Sequence, residues 1–298
     1  MPRSDSRLTR RGRLAHLVGA GLLAGAWTAG CSNPRPLVFC HNANCAQPTD
    51  PSHDDTLEAL QASLALRYRD RPVIDGVEMD LFWNGQANNG AGHCEFAHEL
   101  MSTPQAGADE AARILADNLR QYSVVSWNGQ WFYLQMELKP YVGSYGTKHT
   151  PEQAIAHVVC ALDVVDTLES AATESDHRIE FIMDSGEPQL LWTLRQRPRW
   201  LAKSNSPSRS YRTAADFLDA TPSGFALQYL SDFPPVTDVV FHADWISDGH
   251  YQAFLSMGLD LTLWMFSAND EALGAIRKFQ PRAVVSYAAL FMRLWEER

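Results

Sequence analysis

Five residues stand at the ends of three short apolar runs: His41 after LVFC, Glu78 and Asp80 in DGVEMDLFW, and Glu137 and Lys139 in WFYLQMELKP. Side chains alternate along a strand, so Glu78 and Asp80 share one face, as do Glu137 and Lys139. Carboxylates crowded where strands are buried repel one another unless a cation lies between them, because desolvating an unpaired charge costs several kcal/mol. Oxygen donors of this type suit a hard divalent cation, Mg²⁺ or Ca²⁺, better than zinc. Lys139 adds a fixed positive charge for an anion, and His41 adds a group able to move a proton near neutral pH.

These residues need elements that bring strand ends together. After residue 36 the chain alternates strand-like runs with helical patterns, the signature of βαβ units and a parallel sheet. Eight strands are expected, at 37–41, 76–81, 131–138, 178–184, 223–230, 237–244, 259–266 and 283–287. Between them, stretches such as DDTLEALQASLALRY, ADEAARILADNLRQY and PEQAIAHVVCALDVVDTL place apolar residues three and four apart. Asp54 or Asp55 is expected to cap the first helix, and Thr150-Pro151-Glu152 opens the third. The pattern predicts an α/β fold, a (β/α)8 TIM barrel, whose site lies at the C-terminal ends of its strands. Two insertions stand out: 83–95, expected to rim the site, and 199–221, expected to be a mobile surface loop.

The 298 residues, 45% of them hydrophobic, suffice for one such domain behind a leader. A net charge of −10 argues against a nucleic-acid partner. Residues 1–30 read as an export signal, with Arg3, Arg7, Arg10, Arg11 and Arg13 ahead of an apolar stretch. Thr28-Ala29-Gly30-Cys31 has the form of a bacterial lipoprotein processing box, making Cys31 the lipidated first residue, with 31–36 as a tether and 37–298 as the barrel. The domain is thus expected in the bacterial cell envelope, on the periplasmic or extracellular face, held to the membrane by its lipid anchor. A plain secretory signal and an uncleaved anchor are the other readings. In an oxidising compartment Cys40, Cys45, Cys94 and Cys160 can pair. A Cys45–Cys94 bridge would fix two loops near the site, with Cys160 left as a buried thiol.

The order of motifs resembles the glycerophosphodiester phosphodiesterase family, within the phospholipase-C-like barrels. That family's His-Arg-Gly, Glu-Asn-Thr, Glu-Leu-Asp and Glu-Ile-Lys are matched by His41-Asn42-Ala43, Asp54-Asp55-Thr56, Glu78-Met79-Asp80 and Glu137-Leu138-Lys139. LTLWMFSANDE resembles its Trp-Thr-Val-Asn strand, with Trp264 and Asn269 in the matching places. The resemblance implies a metal-dependent phosphoric diester hydrolase acting on a glycerophosphodiester or phospholipid headgroup. Glu78, Asp80 and Glu137 would bind the cation, Lys139 and Asn42 would meet the phosphate, and Cys31 would carry the lipid. His41 and a second histidine would be the acid/base pair: His98, in a His-Glu pair, or its rival His93. Asp184 and Trp264, with His93, are further candidates for the rim. Asn42 replaces the family's arginine and removes a bidentate phosphate donor. Its absence brings a phospholipase-like lyase forming a cyclic phosphate, and a non-catalytic envelope lipoprotein that kept the barrel, into consideration. Among weaker features, FHADWISDGH holds His242, Asp244 and His250 near a strand end, a pattern that suggests a second metal site; a rim role for Asp244 or Trp245 ranks ahead of it, and simple packing ahead of both.

Overall fold

β1 (Leu37–Cys40), β4 (Gly76–Asn84), β6 (Trp131–Leu138), β7 (Arg178–Ser185), β8 (Arg209–Asp216), β9 (Asp238–His242), β10 (Asp260–Trp264) and β11 (Ala283–Ser286) are parallel neighbours in a computed structural model. The structure describes residues 35–47, 51–98, 105–142, 147–203, 209–217 and 230–296. In space the strands run β1, β11, β10, β9, β8, β7, β6, β4, and β1 pairs back onto β4. The sheet is closed, and it is a (β/α)8 barrel. Gly76, at the closure, allows the approach: a Cβ there would lie 2.0 Å from the Tyr133 carbonyl oxygen.

Among the described residues eight helices surround the strands: α1 (Leu57–Leu64), α2 (Ala108–Gln121), α3 (Pro151–Glu174), α4 (Pro188–Arg195), α5 (Pro198–Lys203), α6 (Asp248–Ser256), α7 (Asp270–Phe279) and α8 (Ala288–Glu296). Outward strand residues such as Val77, Met79, Leu134 and Met136 pack with buried helix residues such as Ala112, Leu115, Val158 and Leu162. Inward residues form a separate small core of Phe39, Ile182, Ala214, Val240, Ala283 and Val285. The α3 start follows its sequence signal, with Thr150 and Gln153 in a reciprocal capping box and Pro151 in the first turn. The α1 cap is Thr56, whose hydroxyl accepts from the Ala59 amide, rather than Asp54 or Asp55.

The fifth barrel strand is a correction. It is β8, inside the segment expected to be a surface loop, while residues 223–229 lie outside the described residues. The α5 helix also falls in that supposed loop. Inward-pointing Arg212 disguises β8 in the sequence: its guanidinium donates to both Asp238 oxygens, at 2.7 and 2.9 Å, and also pairs with Asp260. Arg282 pairs with Glu180 in the same layer, so ion pairs occupy the N-terminal end of the barrel.

The insertion at 83–95 is a hairpin. β4 runs on to Asn84, and β5 (His93–Phe96) returns antiparallel to it. A short antiparallel pair, β2 (Arg67–Tyr68) and β3 (Arg71–Pro72), precedes β4. The cysteines pair as Cys40–Cys45 and Cys94–Cys160. The Cys45–Cys94 pairing and the free Cys160 thiol are therefore overturned: β5 lies over α3, where Cys160 is within bonding reach, whereas Cys45 belongs to the turn after β1. The proposed leader, Cys31 and the tether through residue 34 lie outside the described residues. Among the described residues, no helix is long and apolar enough to cross a membrane.

Candidate active site

The register of the ladders assembles the acidic groups. Asp80 on β4 is the Cα partner of Glu137 on β6, and Glu137 is the partner of Asp184 on β7. Alternation then places Glu78 one inward step below Asp80, and Lys139 one inward step above Glu137. Glu78, Asp80 and Glu137 each offer a carboxylate oxygen, and these lie within 4.8 Å of one another. All three are buried. Lys139 Nζ sits between two of them, 2.9 Å from Asp80 Oδ2 and 2.8 Å from Glu137 Oε2.

Burial and the neighbouring Asp80 push the Glu78 carboxyl well above its ordinary range. Burial also raises Glu137, against the pull of Lys139. Burial acts to raise Asp80 too, but Lys139 and His98 override it and hold this carboxyl at about 2. Burial acts to lower the Lys139 pKa, yet Asp80, Glu137 and Glu78 hold it well above the usual value. One lysine faces three carboxyl groups in a desolvated place, and two of them are pushed toward the protonated form where no further cation offsets their charge. An all-oxygen donor set of this kind fits a hard divalent cation.

His41 follows β1 in a tight turn. Its ring is bordered by Trp264 at 5.1 Å, Phe266 at 5.9 Å and Tyr287 at 5.4 Å between centroids, each edge-on. Burial, reinforced by Lys139 and opposed by Asp80, lowers its pKa to about 3. The imidazole is therefore neutral at pH 7 and able to accept a proton. His98 is half exposed, with Nε2 3.9 Å from Asp80 Oδ2. His41 and His98 line one cavity of about 300 Å³, together with Asn42, Glu137 and Lys139. His93 lies elsewhere, on β5 opposite Asn84, and a Cβ at Gly107 would come within 3.2 Å of its Nε2.

The Asn42 backbone N–H donates to Glu78 Oε2 at 2.6 Å, while its side-chain amide donates to Asp54 at 3.2 Å. Asp184 is buried beneath the cavity and accepts from Gln135 Nε2 at 2.6 Å. Burial, Glu137 and Asp216 all push the Asp184 carboxyl upward. Trp264 forms part of the cavity wall, with Trp245, Phe266 and His242. His242 stacks on Trp245 at 4.7 Å, and both line the cavity, so Trp245 holds the rim position that competed with packing in the sequence. His250 instead caps α6 with Ser247 and packs on Phe241. Asn269, matched by the motif, caps α7 through its side-chain oxygen.

Pro140, Tyr141, Asp216 and Phe266, all in the cavity wall, escaped the sequence reading. Asp216 ends β8, the strand mistaken for a loop, and Tyr141 follows Lys139 by two positions, with its hydroxyl donating to the His98 carbonyl at 3.3 Å. The spacing of Asp216 from the other strand ends would have exposed it had β8 been recognised.

No protein-family model matches the chain, and no curated protein matches it by sequence. Solved structures do share its fold. An Oleispira antarctica phosphodiesterase in complex with the product sn-glycerol-3-phosphate aligns with TM-score 0.54 at 13% identity, over 88% of this chain and 97% of that one. A Silicibacter pomeroyi protein assigned as a glycerophosphoryl diester phosphodiesterase aligns with TM-score 0.55 at 12% identity, over 88% and 94%. A calcium-dependent phosphoinositol-specific phospholipase C from a Pseudomonas species aligns with TM-score 0.51 at 9% identity, over 86% and 89%. These three structures thus share the barrel fold of this chain, at low sequence identity.

Proposed function

We propose that this protein is a phosphoric diester hydrolase acting on a glycerophosphodiester or a phospholipid headgroup. One observation carries the reading: His41, His98, Lys139 and Glu137 open onto a single cavity at the C-terminal face of the barrel, above buried Glu78 and Asp80. Phosphodiester hydrolysis needs charge neutralisation on the phosphoryl oxygens, an activated nucleophile and a proton for the leaving alkoxide. Glu78, Asp80 and Glu137 would hold Mg²⁺ or Ca²⁺, which when bound polarises the phosphoryl group. Lys139, locked between two carboxylates, places a positive charge at the cavity floor. Neutral His41 accepts the proton of the nucleophile, and solvent-accessible His98 supplies one to the leaving oxygen. The phosphodiesterase structures of the same fold, one of them holding sn-glycerol-3-phosphate, support the substrate class.

Internal attack by a substrate hydroxyl, giving a cyclic phosphate, is the second reading. Asn42 favours it, since the side-chain amide is committed to Asp54 and no arginine follows His41. The test is turnover of bis(p-nitrophenyl) phosphate with Mg²⁺ or Ca²⁺, followed by phosphorus NMR of products from a phospholipid panel. A monoester product supports hydrolysis, a cyclic product supports the second reading, and no turnover by wild type sinks both. Export and lipid attachment at Cys31 belong to the same proposal, and the two disulfides are consistent with an oxidising compartment. Loss of fatty-acid labelling in Cys31→Ala tests the anchor.

A further inference from the structure

The turn that carries His41 is bracketed by cysteines. Cys40, the last residue of β1, is bonded to Cys45, five positions on. Between them, two consecutive non-glycine residues are left-handed: Asn42 at φ 46° and Ala43 at φ 51°. Asparagine visits that region readily, whereas alanine meets its Cβ clash there. Cys40 offers the turn no side-chain cap, while the Asn44 amide closes it on the His41 carbonyl at 2.9 Å and Asp54 accepts from the side-chain amides of Asn42, at 3.2 Å, and Asn44, at 2.8 Å. Against these bonds, the left-handed alanine works to open the conformation on which two site groups depend. The turn aims His41 at the cavity, and it sets the Asn42 amide 2.6 Å from Glu78 Oε2.

The surroundings hold the far side of the turn. The Asp55 amide donates to the Asn42 carbonyl at 2.9 Å, and the Cys45 amide donates to Ser63 Oγ at 2.8 Å. Cys40 and Cys45 are themselves buried. A bridge across so few residues removes much less freedom from the unfolded chain than Cys94–Cys160, which spans 66 positions. Its local effect is on the turn.

We propose that Cys40 and Cys45 are positioning residues: their bond holds the left-handed turn that orients His41 and, through the Asn42 amide, Glu78. The proposal rests on the reading of His41 as the base and Glu78 as a cation ligand.

The test uses the full chain and two readouts. One is kcat and KM on bis(p-nitrophenyl) phosphate at saturating Mg²⁺. The other is the imidazole ¹H–¹³C NMR signal of His41, identified by its loss in His41→Asn. In Cys40→Ala/Cys45→Ala, kcat is expected to fall by about tenfold to a hundredfold with KM nearly unchanged, and the His41 signal is expected to move or broaden. Adding Ala43→Gly, which removes the left-handed clash, is expected to restore most of the lost kcat and a sharp His41 signal. Cys94→Ala/Cys160→Ala is expected to lower thermal stability and leave kcat unchanged. Wild-type kcat together with an unmoved His41 signal in the first double variant overturns the proposal, as does a loss that Ala43→Gly fails to restore. If that double variant fails to fold, the triple variant decides: a wild-type-like His41 signal supports the proposal and a disordered one overturns it. Were wild type inactive while its His41 signal still responded to loss of the bridge, the functional reading would fail and the positioning role would stand.

Discussion

Asp80 and Glu137 are direct partners across the parallel β4–β6 ladder, and both hold Lys139 Nζ, at 2.9 and 2.8 Å. The lysine thus neutralises part of the cluster that a cation would share. Lys139→Met removes that charge and leaves buried carboxylates uncompensated. Without divalent cation the variant is expected to be about 3–5 kcal/mol less stable by urea denaturation, the usual result of breaking one side of a buried pair. Saturating Mg²⁺ or Ca²⁺ should recover part of the loss, while turnover stays abolished. Equal urea midpoints for variant and wild type would show that Lys139 does not carry this balance.

Cation binding should stabilise the wild-type fold by mass action. At a hundred times its dissociation constant, the effective ion is expected to contribute about 2.7 kcal/mol, visible as a rise in Tm that chelator reverses. Asp80→Asn should abolish the rise, because Asp80 lies in the middle of the triad. A Tm that ignores both ions in wild type counts against the metal site.

Removing either cavity histidine tests the division of labour. His41→Ala and His98→Ala are each expected to lower kcat by about 10²- to 10⁴-fold, the usual range for general acid/base groups, with the far-UV spectrum unchanged. An activated leaving group such as p-nitrophenolate needs little protonation. His98→Ala should therefore lose less on that substrate than on an alkyl diester, whereas His41→Ala should lose similarly on both. Equal losses for His98→Ala on the two substrates would remove it from the acid role.

Most of the site was legible because its residues end strands whose apolar runs stay buried on both faces, as in β1, β4 and β6. Those runs fixed the order of His41, Glu78, Asp80, Glu137 and Lys139 along the barrel, and alternation fixed which of them point inward. β8 was not legible. RSYRTAAD turns Arg212 into the barrel, where Asp238 and Asp260 neutralise it, so a strand interior reads as a polar loop. Asp216 was lost with it. The cysteine pairing was equally hidden, since it depends on β5 folding back against α3, a contact between residues 66 positions apart. Trp264 and Trp245 were visible as aromatics near strand ends, but their common wall with His242 and Phe266 needed the closed barrel.

The two bridges should differ in their effect on global stability. By loop-closure entropy, Cys94–Cys160 contributes about 4 kcal/mol and Cys40–Cys45 about 2 kcal/mol. Cys94→Ala/Cys160→Ala is thus expected to show the larger drop in urea midpoint. A smaller drop there than in Cys40→Ala/Cys45→Ala would mean that strain or residual structure outweighs loop length.

Acid sensitivity has a source away from the cavity. His157 on α3 is fully buried, with Nε2 2.9 Å from the Leu81 carbonyl and Nδ1 3.1 Å from His149 Nε2. Beyond it, His149 Nδ1 lies 3.6 Å from Glu187 Oε2. Burial, reinforced by His149 and opposed by the Leu81 carbonyl, lowers the His157 pKa from 6.5 to about 3. Below pH 6.5 the unfolded chain binds a proton at this residue that the folded chain refuses, so folding stability falls as pH drops from 6.5 towards 3. At pH 4.5 the loss amounts to about 2–3 kcal/mol. Glu78 and Glu137, raised by burial, titrate in the opposite sense and offset part of it. The comparison that isolates His157 is therefore His157→Gln against wild type, with urea midpoints at pH 7.5, 5.5 and 4.5. Glutamine cannot charge, so the variant begins less stable through altered packing but is expected to lose less between pH 7.5 and 4.5. Parallel lines for the two proteins would assign the acid sensitivity to other groups.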